Sequence, residues 1–421
     1  MAPKRSAGGG SKAASKSPPS IRKILVTAGE GQTGRLLIDL LATDDTYRSR
    51  FESLTALVFS EEAKSLLQEY EDVQVIVYDP NNQEALVDAM SEIDTCMLIP
   101  PARKDKAKIT RTLLEAAKEA KTVVNLIFLS TAGCDFAESD KQPRIREFIQ
   151  LETLAMQPKS DSSSGDTGHS TCIVRAGFYA ENLLLYTKQA QGEGKLPIPI
   201  DSDHKFAPVA LGDVIQVLAH ALTSVGPHGL GDEVRGEILV VTGPMMTAGP
   251  ELAQAASQAL GVKMEFESIS EEEAKKILNS AQGEDVDEAE KEYLLEYYSL
   301  VREGKTNYVS NAPMMAFFGN RGQEPPDFFK TYSVRTFLQL QIFSHLALVI
   351  GYSLTHIVQS EFKPKKRRTA KNGGGGGESS APKKPPSRPS ARGKGGAQKK
   401  KEAAIEDDAN FDMEDDEGEE H

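Results

Sequence analysis

The sequence predicts an α/β protein: a doubly wound parallel sheet with a smaller C-terminal α+β lobe and disordered tails. Three observations predict it. A glycine turn joins an apolar strand to an amphipathic helix within residues 24–41. Strand and helix patterns alternate five times up to residue 130. Both ends of the chain are polar, low in complexity and unable to bury a core.

The glycine turn sets the frame. Ile24-Leu25-Val26-Thr27 reads as a strand, Gly29, Gly31 and Gly34 follow, and Leu36, Leu37, Leu40 and Leu41 recur at helical spacing. That is the order of a dinucleotide fingerprint: one glycine for the tight turn, one for close approach to a pyrophosphate, one for helix packing. Free N–H groups around Gln32 and Thr33 would face an anion. A glycine-rich surface turn has similar composition, but the flanking strand and helix favour the nucleotide-type fold.

The pattern continues with strands over 54–59, 73–78, 95–99 and 123–130. Helices fall over 61–70, 84–90, 106–120 and 143–157, the last ended by Pro158. A Ser/Gly/Asp-rich loop follows over 159–168, and a sixth strand over 171–174. Helices at 182–191, 211–222, 251–260, 270–280 and 287–302, with strands at 236–242 and 262–267, complete the body. The chain thus divides into a tail (1–20), a nucleotide-fold domain (21–333) whose smaller lobe begins near 183, a segment at 334–360, and a second tail (361–421). The lobe is expected over the carboxyl edge of the sheet, where ligands of such folds lie.

Charge is uneven along the 421 residues. Residues 21–360 carry 31 basic and 49 acidic side chains, 361–401 carry 14 basic and two acidic, and 402–421 carry 11 acidic and none basic. An acidic body excludes nucleic-acid binding through the folded domain, because phosphate neutralisation dominates such binding. The basic stretch, with Lys365-Lys366-Arg367-Arg368, fits either a nuclear-import patch or a solubilising extension, so the expected location is nuclear or cytoplasmic. Residues 1–20 lack the apolar core of a signal peptide. The odd set Cys96, Cys134 and Cys172 lies in or beside core strands, which suits a reducing compartment.

Residues 336–360 contain no Asp, Glu, Lys or Arg. Gln339, Gln341, Ser344, His345, Ser353, Thr355 and His356 dilute its apolarity and argue against a membrane span. A packed or amphipathic helix and a translated retained intron joining Ser333 to Glu361 are the other readings.

Chemistry is sparse. Reductases of this fold class use a Tyr-x-x-x-Lys pair with a serine. No tyrosine lies between Tyr78 and Tyr179, so Ser130 reads as a hydrogen-bonding strand end and no catalytic residue is assigned. His169, His204 and His220 have no metal-ligand spacing, and no metal is expected. The carboxylates at Glu284, Asp285, Asp287, Glu288 and Glu290 read as a solvated helix start.

In order and spacing, ILVTAGEGQTGR, YDPNNQEALVDAM, DTCMLIPPARKDK, LIFLSTAGCD, RAGFYAENLL, HKFAPVALGDVIQV and VTGPMMTAGPELAQAASQALG resemble the NmrA-like branch of atypical short-chain dehydrogenases/reductases. The resemblance spans about residues 22–333 and implies a Rossmann fold binding NAD or NADP. By that likeness Gly29, Gly31, Gln32, Thr33 and Gly34 hold the pyrophosphate and Asp79 and Pro80 lie near the adenine. Ile99 and Pro100 line the ribose and nicotinamide path beside Ser130 and Thr131, and Gly177, Phe178 and Asn182 border the nicotinamide end. Three departures stand out. Glu30 stands in the pyrophosphate loop. Phe59 and Ser60 stand where an arginine often grips the NADP 2′-phosphate, leaving Glu61 to meet a ribose hydroxyl and favour NAD. Phe148 stands where a lysine often does.

Two functions follow. The first is a redox-sensing or regulatory protein that binds a protein partner of the transcription-regulator type without Tyr–Lys catalysis. The alternative is an NAD(P)H-dependent reductase of quinone or carbonyl substrates with an atypical site, taking a small-molecule substrate.

Overall fold

The structure is a computed structural model that describes residues 22–68, 70–159, 169–227, 229–280 and 286–332. Both tails, the 334–360 segment, residues 160–168 of the polar loop and Glu284–Asp285 lie outside the described residues.

The first half alternates as its periodicity requires. β1 (Arg22–Val26) leads through the glycine turn into α1 (Gln32–Thr43), then α2 (Asp45–Arg48), β2 (Phe51–Val58), α3 (Glu61–Leu66) and β3 (Val73–Val77). α4 (Gln83–Met90), β4 (Thr95–Leu98), α5 (Lys106–Glu119), β5 (Asn125–Thr131), α6 (Pro143–Met156) and β6 (Ser170–Ala176) follow. Short polar side chains start several helices: Asp44 accepts from Thr46 N–H, Ser60 from Ala63 N–H and Asn82 from Ala85 N–H.

The second half is less regular. A 3-10 turn at Ala180–Tyr186 precedes α7 (Thr187–Glu193), where one helix over 182–191 was expected. Then come β7 (Lys195–Ile198), β8 (Lys205–Phe206), α8 (Leu211–Thr223), β9 (Ile238–Val241), β10 (Thr247–Ala248) and α9 (Gly249–Leu260). β11 (Glu265–Ser268), α10 (Glu271–Leu278), α11 (Glu288–Arg302), α12 (Ala312–Phe318) and α13 (Pro325–Thr331) complete the described chain.

Seven strands form one sheet in the order β3-β2-β1-β4-β5-β6-β9, with every neighbouring pair parallel. The doubly wound sheet read from the sequence is therefore present, with β9 added at one edge. β7 and β11 pair in parallel apart from it, and β8 and β10 pair antiparallel. The sheet is covered on both faces, and its side chains alternate between two cores. Leu25, Cys96, Leu98, Leu126 and Phe128 enter the core shared with α5 and α6. Ile24, Val26, Met97, Ile127 and Leu129 enter the core shared with α1 and α8. Burying both faces explains why these strands read as nearly continuous apolar runs.

All three cysteines are free and buried, and burial pushes each thiol up to about 12. Among the described residues, no helix is long and apolar enough to cross a membrane.

Candidate functional site

Because its strands all run one way, the sheet brings the carboxyl ends of β1, β3, β4, β5 and β6 to a single rim. That rim gathers the residues expected to hold a nucleotide.

The glycine loop is the first part. Gly31 N–H donates to Ala28 C=O at 3.0 Å, and α1 has no side-chain cap. The first-turn N–H groups of Gln32, Thr33 and Gly34 lack intrahelical acceptors, and Gly31 and Gln32 are exposed. The tight turn itself falls one residue earlier than the glycine spacing suggests. Ala28 has φ 51°, the sole positive φ of a non-glycine residue among the described residues. Gly29 instead donates its N–H to Leu57 C=O, and a Cβ there would crowd Ala56 and Ile38 at 3.1 Å each. A Cβ on Gly34 would collide with the Ala28 carbonyl oxygen and lie 2.9 Å from its carbon. Gly34 thus serves as the helix-packing glycine of the fingerprint, and the turn role lies at Ala28.

Next along the rim, Thr27 Oγ1 accepts from Ile99 N–H at 2.8 Å and donates to Ile99 C=O at 3.1 Å, tying the ends of β1 and β4. Ile99 is buried and Pro100 half-buried beside it. Asp79 and Pro80 are exposed after β3, and the Asp79 carboxylate caps the turn by accepting from Asn81 N–H. Gly177 N–H donates to Val241 C=O, while Asn182 is half-buried in the 3-10 turn. Phe178 points into the interior, with ring centroids 5.2, 5.5 and 5.3 Å from Phe206, Tyr297 and Tyr298.

Ser130 and Thr131 diverge, as successive residues of a strand must. Ser130 Oγ donates to the buried Glu152 carboxylate on α6. Arg175 at the end of β6 grips the same carboxylate through Nε at 2.9 Å and Nη2 at 2.8 Å. Ser130 is thus a strand-end anchor, as its isolation from any Tyr-x-x-x-Lys suggested. Thr131 Oγ1 lies 2.6 Å from the hydroxyl of Tyr293 on α11.

That contact reveals residues the sequence reading missed. The Tyr179 hydroxyl, after β6, faces Thr33 at the start of α1. Tyr179 and Tyr293 are electrostatic neighbours. Two hydroxyl pairs, Tyr179 with Thr33 and Tyr293 with Thr131, thus form a bar between the glycine loop and the end of β5. Burial pushes both hydroxyls above the ordinary tyrosine range. Lys106, in the first turn of α5, has its Nζ 4.2 Å from the Phe148 ring and 5.9 Å from the Tyr293 ring. It donates to Arg144 C=O at 3.3 Å and sits 3.7 Å from Glu147, while burial lowers its pKa. Only Tyr179 belongs to a stretch whose local pattern pointed here. Tyr293 is 162 residues from Thr131, and no spacing rule links them.

The residues fit a dinucleotide unevenly. Open N–H groups at α1 and close backbone packing at Gly34 suit a diphosphate. Thr131, which the resemblance sets on the nicotinamide path, is already bonded to Tyr293. Among the described residues no group of three His, Cys, Asp or Glu side chains could hold a metal ion.

Fold and rim together define a Rossmann-type α/β protein of the nucleotide-binding class. Within that class the chain belongs to the NmrA-like family, whose profile matches residues 20–312. It is 25% identical over 255 residues to an NAD(P)H azoreductase of Xenophilus azovorans, covering 61% of this chain and 80% of that protein. The fold is similar to that of the Citrobacter sp. triphenylmethane reductase complexed with NADP(H), at 19% identity and TM-score 0.59, covering 74% of this chain and 100% of that one. It is also similar to NmrA, a negative transcriptional regulator, in complex with NAD, at 15% identity and TM-score 0.54, covering 74% and 94%. At such identities the structural likeness establishes the fold, which enzymes and a regulator share.

Proposed function

We propose that this protein is a nucleotide-responsive regulator. It would hold NAD or NADP in the cleft at the strand ends and report occupancy to a protein partner through α11. One observation carries the reading: Tyr293 is hydrogen-bonded to Thr131, which the family resemblance sets beside the nicotinamide, and Tyr179 faces Thr33 next to it. A dinucleotide that displaces Tyr293 must disturb the first half of α11, whereas Leu294, Leu295, Tyr297 and Tyr298 hold its second half in the core. Binding and surface change are then linked. Phe148 on α6 and the Ser130–Glu152 bond agree with a protein that does not turn over substrate. The partner would be of the transcription-regulator type, met in the nucleus or cytoplasm.

A second reading is an NAD(P)H-dependent reductase of quinone, carbonyl or azo substrates. The specific observation favouring it is Lys106, whose Nζ lies 5.9 Å from the ring of Tyr293, a tyrosine that could donate a proton to a reduced substrate. The bound cofactor would supply the hydride. Lys106 and Tyr293 would position and protonate.

Calorimetric titration with NAD, NADH, NADP and NADPH, followed by hydrogen exchange across α11, tests the first reading. The expected result is nucleotide binding with changed exchange at Glu288–Tyr293 and no steady turnover. Sustained NAD(P)H oxidation with quinones, carbonyls or azo dyes would replace it with the second. No binding of any of the four would remove both.

A further inference from the structure

The Glu30 side chain turns away from the diphosphate position. Its Oε1 accepts from Phe59 N–H at 3.0 Å, and Phe59 directly follows the last residue of β2. The carboxylate of a loop residue is therefore planted at the carboxyl end of the neighbouring strand. Its second oxygen, Oε2, is buried and has no hydrogen-bond partner among the described residues. An acceptor left in that state needs a donor.

The surroundings define a small site. The Phe59 ring meets Tyr78 edge-on, with centroids 5.5 Å apart and planes at 74°. The Arg103 guanidinium lies 5.5 Å from the Phe59 ring centroid, with Nε held 3.2 Å from Asp105 Oδ1. Burial favours the neutral form of Glu30, while its own amide, Phe59 N–H and the Arg103 charge oppose that. Glu61, which the sequence placed here, is exposed in the first turn of α3 and faces Lys64 at 3.8 Å.

In doubly wound sheets the adenosine ribose of a dinucleotide reaches the end of the second strand, where an acidic side chain accepts from its hydroxyls. The carboxyl end of β2 and the two residues after it offer none: the chain reads Val58-Phe59-Ser60. We propose that Glu30 supplies that acceptor from the glycine loop and makes the chain select NAD(H) over NADP(H). A ribose diol has two donors for Oε2. A 2′-phosphate has none when ionised and adds close to two negative charges beside a carboxylate. Arg103 attracts anions, but Asp105 already pairs with it. The proposal rests on the nucleotide-binding reading above.

The test is calorimetric titration of the full chain with NADH and NADPH, then with ADP-ribose and its 2′-phosphate, which probe the adenosine half alone. NADH and ADP-ribose should bind at least about tenfold more tightly than their phosphorylated counterparts. In Glu30→Gln, which still accepts from Phe59 N–H, each ratio should shrink about tenfold while the unfolding temperature stays within a few degrees. Equal or tighter binding of the phosphorylated ligands to the unmodified chain overturns the selectivity and leaves the nucleotide reading standing. A ratio unchanged in a folded Glu30→Gln variant overturns the role of Glu30. Failure of every probe to bind overturns both this inference and the reading beneath it.

Discussion

Replacing Tyr293 by phenylalanine separates a gating tyrosine from a merely structural one. The substitution keeps the ring in its contacts with Phe148 and Tyr297 and removes one hydroxyl, 2.6 Å from Thr131 Oγ1. Thr131 is 3% exposed, so the lost partner is not simply replaced by bulk water. A buried neutral hydrogen bond of this kind contributes about 1 kcal/mol net. Folding stability should fall by that amount, lowering Tm by about 2 °C for a domain of this size. If the bar must open to admit the nicotinamide half, the same 1 kcal/mol favours the open state. Apparent nucleotide affinity then rises about fivefold, because it scales with the binding-competent fraction. Thermal unfolding and calorimetric titration with NADH on one preparation read both numbers. A lower Tm with unchanged or weaker binding would refute the reasoning, since Tyr293 would then either lie off the cofactor path or contact the nucleotide itself.

Three further outcomes follow from the same geometry. Gly34→Ala places a Cβ against the Ala28 carbonyl, so it should cost at least about 2 kcal/mol in urea unfolding and abolish nucleotide binding. Arg175→Met strands the Glu152 carboxylate, whose side chain is 6% exposed, and should cost about 3–5 kcal/mol in the same measurement. Glu181, which accepts from Leu211 N–H and Tyr332 O–H, is pushed by burial up to about 7 from an ordinary value of 4.5. Its neutral form therefore contributes stability that is fully present below pH 4.5 and lost as pH rises to 7. Glu181→Gln should remove that dependence, stabilising the protein by about 2 kcal/mol more at pH 8 than at pH 5, as read by parallel urea titrations.

The sheet was legible because periodicity is local and strong. A strand buried on both faces must be apolar throughout, and the helices between strands must carry one apolar stripe, so β1 to β6 stand within a few residues of their expected places. The second half was harder for physical reasons. β8 and β10 are two residues each and exist only because Thr247 and Phe206 meet across the fold. The turn at Ala180–Tyr186 carries a helical pattern over a 3-10 backbone, which periodicity does not distinguish over so short a run. α12 and α13 did leave a trace: each has a proline at its start, at Pro313 and at Pro325-Pro326, which the apolar spacing alone did not use.

The candidate site divides along the same line. Its glycine loop is a contiguous string, so its chemistry could be read directly, apart from the shift of the tight turn to Ala28. A left-handed alanine costs roughly 1–2 kcal/mol and leaves no mark in composition. The side chains proposed to decide use are non-contiguous: Glu30 reaches Phe59 just after β2, and Lys106, Phe148 and Tyr293 converge from three helices. Their arrangement makes the two halves of the cleft unequal. The glycine-loop side holds open N–H donors and a carboxylate oxygen unpartnered among the described residues, both of which would gain by binding. On the side proposed for the nicotinamide the Thr131 and Tyr293 hydroxyls already satisfy each other, so binding there must break a bond before it makes one. A reductase gains nothing from closing its reacting end in this way unless substrate opens it. A sensor needs such an arrangement: affinity supplied at one end, and a conformational cost, with the surface change it brings, at the other.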